Sequence, residues 1–230
     1  MFKVLEALAQ NSTPLKESGL LKGRILLQKK EAHGARVSPW AIASYHDRGI
    51  SCPTIGSEGK FFLSSLTLPI CEDTTYIPSN DLFLLGFLNS WVAHAQFKET
   101  ASIPYDGWFR FGVKYLSDLP VPNRTEPHCS LIRLATEKAV ALTLANSDVM
   151  DRYAVRYFGR LIDGLFCELL VPEAFLRHEK AVAKHLEGFD WNRPARAIFR
   201  EIHDREHPIA YVLFTMDTIP EIRELEKSLR

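Results

Sequence analysis

The chain has 230 residues, of which 46% are hydrophobic and 24% are charged, and this composition excludes a disordered or fibrous protein. The length predicts one or two domains, with enough apolar residues to bury a core. Lysine plus arginine and aspartate plus glutamate both number 28, so the formal net charge is zero and the chain lacks the basic balance of many nucleic-acid-binding proteins. The first 125 residues carry 13 basic and 11 acidic residues and the remainder 15 and 17. Any basic surface must therefore be local.

The cysteines indicate a reducing environment. Cys52, Cys71, Cys129 and Cys167 are far apart and include no Cys-x-x-Cys pair, so neither a zinc knuckle nor a dense disulfide framework is indicated. No apolar run approaches the roughly 20 residues that span a bilayer, and the amino terminus lacks the layout of a signal peptide. We therefore expect a cytoplasmic protein with no membrane partner.

The first third of the chain predicts a short helix and two strands. Residues from Met1 to Gln10 place Val4, Leu5 and Leu8 on one helical face. Lys22 to Lys30 has a short apolar centre flanked by cations, which predicts a strand with a basic edge. A further strand is predicted from Ala41 to Tyr45, between two loops rich in basic and aromatic residues.

The segment from Lys60 to Pro122 predicts the order strand, strand, helix, loop, strand. Its aromatic and β-branched runs are broken by proline, asparagine and aspartate, a pattern typical of short strands. The helical pattern covers Asp81 to Ala95, with Asn80 or Asp81 as the N-cap. The last strand region is predicted from Trp108 to Pro122.

Beyond a boundary at residues 123–127 the pattern becomes helical. Met150 to Leu170 repeats apolar residues at helical spacing without interruption, which predicts one wide buried face. Further helices are predicted over Leu131–Ala145, from Pro172 to about Gly188, and after Asn192 and Pro194. The sequence thus predicts an α+β fold, in which a small β-rich mixed domain at residues 1–125 precedes a domain of about five helices at residues 126–230.

Three motifs in the central segment carry a family resemblance. They are Tyr76-Ile77-Pro78, Leu84-Leu85-Gly86 with Leu88-Asn89-Ser90, and Lys114-Tyr115-Leu116 followed by Leu119-Pro120-Val121-Pro122. In this order they resemble the TaqI-like C-terminal specificity domain, the target recognition module of adenine-N6 DNA methyltransferases and fused type IIG enzymes of bacterial restriction-modification. The helix from Leu161 to Glu173 is similar, more loosely, to the helix that follows this domain in such polypeptides.

The resemblance implies a DNA recognition module that positions a separate catalytic domain on its target site. The expected partners are double-stranded DNA and a methyltransferase catalytic domain in the same or an adjacent chain. Neither a glycine-rich S-adenosylmethionine loop nor an Asn/Asp-Pro-Pro-Tyr motif is found in the sequence, and the latter would hold a flipped adenine. We therefore expect no enzyme activity, catalytic residue, cofactor or metal in this chain. S-adenosylmethionine, with Mg²⁺ as a further candidate, belongs to the parent enzyme.

The DNA-binding candidates are basic and aromatic residues concentrated in the predicted loops of the first half. Lysine and arginine neutralise phosphates, arginine can also read guanine, and aromatic residues can pack on sugars or thymine methyl groups. Arg48 and Arg110 are the favoured base readers and Lys30 the favoured phosphate contact. The full set is Lys29, Lys30, Arg36, Trp40, His46, Arg48, Lys60, Lys98, Trp108, Arg110 and Lys114.

Two alternatives remain open from the sequence. Amphipathic helices and balanced charge also suit a helical protein-interaction module of a larger assembly. A metallohydrolase would rest on His203, Glu206 and His207, which match His-x-x-Glu-His, a zinc-binding pattern when it lies on a helix. Pro208 directly after this motif disfavours regular helix there, so a solvated helix end is the preferred interpretation.

Overall fold

The computed structural model describes residues 3–28, 48–56, 60–65, 74–101, 108–145 and 148–229. The strands in these ranges are β1 Ser12–Pro14, β2 Leu26–Gln28, β3 Arg48–Pro53, β4 Ile55–Gly56, β5 Phe62–Ser65, β6 Thr74–Ile77, β7 Phe109–Arg110 and β8 Pro120–Pro122. The α-helices in these ranges are α1 Lys3–Gln10, α2 Leu82–Leu88, α3 Trp91–Thr100, α4 Val113–Ser117, α5 His128–Ala145, α6 Val149–Leu170, α7 Pro172–Arg177, α8 Ala195–Ile202, α9 Pro208–Thr215 and α10 Pro220–Leu229. The predicted α+β class is confirmed.

The strands form small antiparallel sheets in the first half of the chain. Four of them pair in the order β2-β6-β3-β5, while β1 pairs with β8 and β4 with β7. The predicted strand between Lys22 and Lys30 is confirmed as β2, an edge strand whose Leu26 lies opposite Tyr76 of β6. The strand predicted from Ala41 to Tyr45 lies outside the described residues.

Helix α6 lies at the centre of the helical half. Its residues Leu161, Leu165 and Phe166 are fully buried. The Phe166 ring packs against Phe83 and Phe87 of α2, with centroids 5.2 and 5.6 Å apart. The predicted apolar face is confirmed over this stretch, because α2 and α5 supply the partners that the amphipathic pattern requires.

The first turn of α6 departs from the prediction of a buried face. Met150 and Tyr153 are about half exposed, although both occur at the helical apolar spacing. Tyr153 keeps one face of its ring on Phe199 of α8, at 5.8 Å between centroids. Neighbouring helices thus cover the first turn of α6 only in part. The apolar period of a sequence carries no information about where those neighbours end.

The single helix predicted from Asp81 to Ala95 is two helices. Asp81 is the N-cap of α2, as one of the two expected caps, and its carboxylate accepts the amide hydrogen of Leu84 at 3.1 Å. The Asn89 side chain donates to the Leu85 carbonyl and also bonds both backbone groups of Phe61. Ser90 then caps α3. Side-chain bonds to the backbone thus end one helix and start the next within two residues.

The strand region predicted from Trp108 to Pro122 is wrong in its middle, which forms helix α4. Phe111 and Leu116 are both fully buried. Residues five positions apart point to opposite faces of a strand, so an extended chain could bury both only between two packed layers. The turn of helix between them places both in the core. Only β7 and β8, at the two ends of this region, remain extended.

The helix predicted from Pro172 to about Gly188 is also interrupted. Helix α7 ends at Arg177, and a single turn of 3-10 helix follows at Ala183–Leu186. The buried Glu168 carboxylate accepts the amide hydrogens of Val182 and Ala183 at 2.8 and 2.9 Å. A carboxylate from α6 therefore satisfies backbone donors that would otherwise continue a helix.

Residues from both predicted domains share one hydrophobic cluster. A Cβ atom at Gly86 of α2 would lie 2.6 Å from Thr136 Oγ1 of α5, so this motif glycine allows close approach of the two helices. Leu84, Leu85 and Leu88 are buried beside it, as expected of scaffold residues. The division at residue 125 stays a prediction.

Three of the cysteines, Cys52, Cys129 and Cys167, are free and buried, while Cys71 lies outside the described residues. Burial raises the pKa of each of these three thiols, which keeps them protonated and unreactive at neutral pH.

Among the residues described, no helix combines the length and apolar character needed to cross a bilayer.

A buried carboxylate joins α6 to the start of α3. Asp163 Oδ1 accepts the backbone amide hydrogen of Trp91 at 2.8 Å. The Arg160 guanidinium stacks over the Trp91 ring at 5.0 Å and donates to Glu226 at 3.2 Å. Burial raises the pKa of Asp163 to about 7, although the Trp91 amide and the Arg160 charge act in the opposite direction.

The Asp163→Asn variant should change the pH dependence of stability. An unfolded aspartate titrates near about 3.9, so the folded chain binds an extra proton between that pH and about 7. Stability from this group is present below the unfolded pKa and is lost as the pH rises through the folded pKa. Asparagine keeps an oxygen that accepts the Trp91 amide hydrogen but carries no charge. At pH 8 the free energy of unfolding of the variant should therefore exceed that of the wild type by at most about 4 kcal/mol. Urea unfolding across this pH range measures this difference.

The control is Glu224→Gln, at an exposed position of α10. Equal pH slopes for Asp163→Asn and wild type would contradict the assignment.

The Leu165→Ala variant tests the burial of α6. Leu165 is fully buried, so truncation should lower the free energy of unfolding by about 2 to 5 kcal/mol. Met150→Ala, on the exposed first turn of the same helix, should change it by less than about 0.5 kcal/mol. Denaturant unfolding measures both, and a loss for Leu165→Ala no larger than for Met150→Ala would mean that this face is open.

Candidate nucleic-acid interface

The structure describes five of the eleven predicted DNA-binding side chains. Five of the others lie in segments that the structure does not describe. The sixth is Arg48, at the start of β3, for which only the backbone is described. Those in the undescribed segments are Lys29, Lys30, Arg36, Trp40 and His46. Their assignment stays a prediction.

Arg110 and Lys114 line one cleft, with a volume of about 590 Å³. One wall is the carboxyl-terminal half of α3, which supplies Gln96 and Thr100. The other wall is the chain from β7 through α4 to the start of β8. The fold therefore brings two predicted cations together with polar side chains of a helix that precedes them in the sequence.

Aromatic packing fixes the strand that carries Arg110. Phe109 and Phe111, on either side of it, are buried, whereas Arg110 is exposed. The Phe111 ring lies 5.1 Å from Phe97 and 5.7 Å from Phe61 between centroids. Because side chains alternate along an extended chain, burying the two phenylalanines turns Arg110 outward.

The backbone of Phe111 is anchored on both sides. Its amide donates to the carbonyl of Thr54 at 2.8 Å, and its carbonyl accepts the hydroxyl hydrogen of Thr75 at 2.6 Å. The cleft wall next to Arg110 is thus tied to β6 and to the residue that precedes β4, and Arg110 extends from a rigid segment.

Trp108 is exposed on the same side of the chain as Arg110. It stands two residues before Arg110, so the alternation that buries Phe109 turns both outward, and 47% of the Trp108 surface is accessible. Sequence reasoning alone favours a core position for this tryptophan, since it begins a Trp-x-x-Phe run. The structure instead places its ring where a partner can stack on it.

The cleft has a surplus of positive charge. Asp118 is its acidic residue, and this carboxylate pairs with Lys16 at 2.7 Å. The Lys16 hydrogen bond, with the Lys16 and Lys114 charges, holds the pKa of Asp118 below its usual value. Within the described residues neither Arg110 nor Lys114 forms an ion pair. Among the described residues, Asp118 is thus engaged by Lys16, and both cleft cations lack an ion-pair partner.

Tyr115 adds a polar group to the cleft lining. Its hydroxyl is buried and forms no hydrogen bond with any residue that the structure describes. Burial raises the pKa of Tyr115 to about 12, so the hydroxyl stays neutral and can donate. Leaving a buried donor unsatisfied costs about 1 to 3 kcal/mol, so this hydroxyl is an energetic cost within the cleft wall.

Two further described candidates, Lys98 and Lys60, do not line the cleft. Lys98 Nζ donates to the carbonyl of Ser228 at 2.8 Å and so ties α3 to the end of α10. Two residues along a helix is about half a turn, so Lys98 faces away from Gln96 and Thr100. Lys60 is exposed just before β5.

Gln96, Thr100 and Tyr115 are site residues that sequence reasoning missed. Gln96 and Thr100 are one helical turn apart and hydrogen bonded at 3.4 Å, a spacing that indicates only a shared helix face. Tyr115 belongs to the family motif Lys114-Tyr115-Leu116 and is not among the DNA-binding candidates. No pattern in the sequence connects these residues with Arg110, because tertiary packing alone brings α3 beside α4.

The His203 to His207 segment is not helical, as the following proline predicts. Helix α8 ends at Ile202 and α9 begins at Pro208. His203 Nε2 is 2.9 Å from the Tyr153 hydroxyl, and His207 Nδ1 accepts the amide hydrogen of Ile209. No group of three or more histidine, cysteine, aspartate or glutamate side chains in the described ranges is placed to hold a metal ion. The geometry offers no support to the metallohydrolase alternative.

Comparisons with models of protein families and with curated protein sequences returned no match to this chain. The resemblance to the TaqI-like specificity domain therefore rests on the motif residues and stays a prediction.

Proposed function

We propose that this chain is a DNA recognition module that positions a separate adenine-N6 methyltransferase catalytic domain on its target site. The observation that carries the proposal is the cleft that gathers Arg110 and Lys114 beside the exposed Trp108. In a chain of zero net charge, a local cationic cleft beside an exposed aromatic ring is the kind of surface that contacts nucleic acid.

The side chains at the cleft have complementary roles in such a complex. Arg110 can donate two hydrogen bonds to the O6 and N7 atoms of guanine. The Gln96 amide can donate to N7 of adenine while its oxygen accepts from the N6 amino group. Lys114 neutralises a phosphate, which positions the protein on the duplex without reading sequence. Trp108 packs on a sugar or on a thymine methyl group.

Catalysis belongs to the parent enzyme in this proposal. The sequence lacks the S-adenosylmethionine and adenine-clamping motifs, so the methyl donor binds to a catalytic domain in the same or an adjacent chain. That domain would hold the duplex from the other side, and a nuclease with its Mg²⁺ would be a further fused unit.

A helical protein-interaction module is the second candidate, and exposed apolar residues favour it. Val149 and Met150 are exposed at the start of α6, near Leu144 at the end of α5 in the sequence. On α9, Tyr211 and Phe214 are one turn apart, and Phe214 is 83% exposed. Large apolar side chains at such exposure suit contact with another protein.

The Arg110→Ala and Lys114→Ala variants test the DNA proposal. A preferred site is first selected with the wild-type chain from a random duplex library, and fluorescence anisotropy then follows binding over a salt series. Arg110→Ala should weaken binding to the selected duplex by about 1 to 3 kcal/mol with little effect on a scrambled one. Lys114→Ala should weaken both alike and lower the slope of log affinity against log salt by about 0.9.

Arg152→Ala is the matched control, because Arg152 is exposed on α6, in the helical half. Lys98→Ala should also leave duplex affinity unchanged, since Lys98 is engaged by Ser228. If neither cleft variant alters the affinity or the salt slope more than Arg152→Ala does, the cleft is not the DNA surface. The protein-interaction alternative then gains support.

A further inference from the structure

A second cleft, with a volume of about 390 Å³, lies at the other end of β8. The polar and charged residues that line it are Lys22, Ser79, Asn80, Asp81, Arg124 and Arg133. None of them is among the DNA-binding candidates of the sequence. They come from distant parts of the chain, so the cleft exists only in the folded protein.

One carboxylate organises this second cleft. Asp81 Oδ1 is occupied by the amide hydrogen of Leu84, while Oδ2 accepts from Arg133 at 2.6 Å. Arg124 lies 3.8 Å from the same Oδ2. Asp81 is mostly buried, whereas about two fifths of each arginine side chain is accessible. The two guanidinium groups are therefore held side by side with part of each facing solvent.

The third cation of the second cleft is Lys22. Its backbone amide donates to the carbonyl of Pro78 at 2.7 Å, which fixes the segment beside β6. The Lys22 side chain is exposed and forms no ion pair with the residues that the structure describes. Its ammonium group therefore adds charge that Asp81 does not neutralise.

Cations outnumber carboxylates three to one in the lining of this cleft. A structural ion pair would need only one arginine for Asp81, and the second and third cations leave a net positive charge. Glu126 does not line the cleft, and its carboxylate accepts the amide hydrogen of Ser130 at 3.2 Å, although its charge also acts on Arg133. The cleft is thus built to attract an anion.

The chemistry of the donors selects the anion. Guanidinium groups present several N–H donors in a planar fork that matches the oxygens of a phosphate, and an ammonium group adds a compact charge. We propose that Lys22, Arg124 and Arg133 form a phosphate-binding site. Its ligand is a phosphate group, carried either by the backbone of a nucleic acid or by a free phosphorylated molecule. The site shares no residue with the first cleft and does not depend on the proposed function.

Titration with inorganic pyrophosphate, followed by phosphorus NMR, tests the site in the full chain. Lys22→Ala and Arg124→Ala should each weaken binding by about threefold, as expected for one exposed charge contact. The double variant should weaken it by about tenfold if the two contacts are independent. Arg152→Ala is again the control.

A second arm measures a short labelled duplex over a salt series with the same variants. A salt slope lowered by about 0.9 in Arg124→Ala assigns the phosphate to nucleic acid. An unchanged slope, with weakened pyrophosphate binding, assigns it to a free phosphorylated molecule. The proposal is overturned if Lys22→Ala, Arg124→Ala and their double variant match Arg152→Ala in both arms. Failure of the proposed function is separate, because it appears in Arg110→Ala and Lys114→Ala.

Discussion

The packing of Phe166 of α6 between Phe83 and Phe87 of α2 is the contact on which the rest of the structure depends. It attaches the helices of the first half to the long helix of the second. Helix α3 follows α2 after a two-residue junction, and its first amide is bonded to Asp163 of the same central helix. One wall of the first cleft is therefore positioned by the hydrophobic core rather than by the sheet.

The positions of several acidic side chains explain the local charge of the two clefts. Buried acids such as Glu168 and Asp163 are used to hold backbone amides, so they leave the surface. At the first cleft, Lys16 forms an ion pair with Asp118. In the second cleft a single carboxylate orients two arginines. A chain of zero net charge thus has two clefts whose linings carry more cations than carboxylates.

The two clefts lie on either side of β8, whose pairing with β1 closes the first half of the chain. Asp118 lines the first cleft just before β8, and Arg124 lines the second just after it. An extended chain advances about 3.3 Å per residue, so these two residues are at most about 20 Å apart. The two clefts are therefore close together in the folded chain.

The sequence by itself determined the α+β class, the helix Met150–Leu170 over its buried part and a cap at Asn80 or Asp81, because these depend on local periodicity and on one side chain next to its own backbone. Only the tertiary structure decided that Lys114 lies on a helix, because a turn of helix at this point places both Phe111 and Leu116 in the core. It also decided which cations share a cleft. Arg110 lines the same cleft as Gln96, and Arg124 lines the same cleft as Arg133 and Lys22. In both cases packing brings together separate segments of the chain.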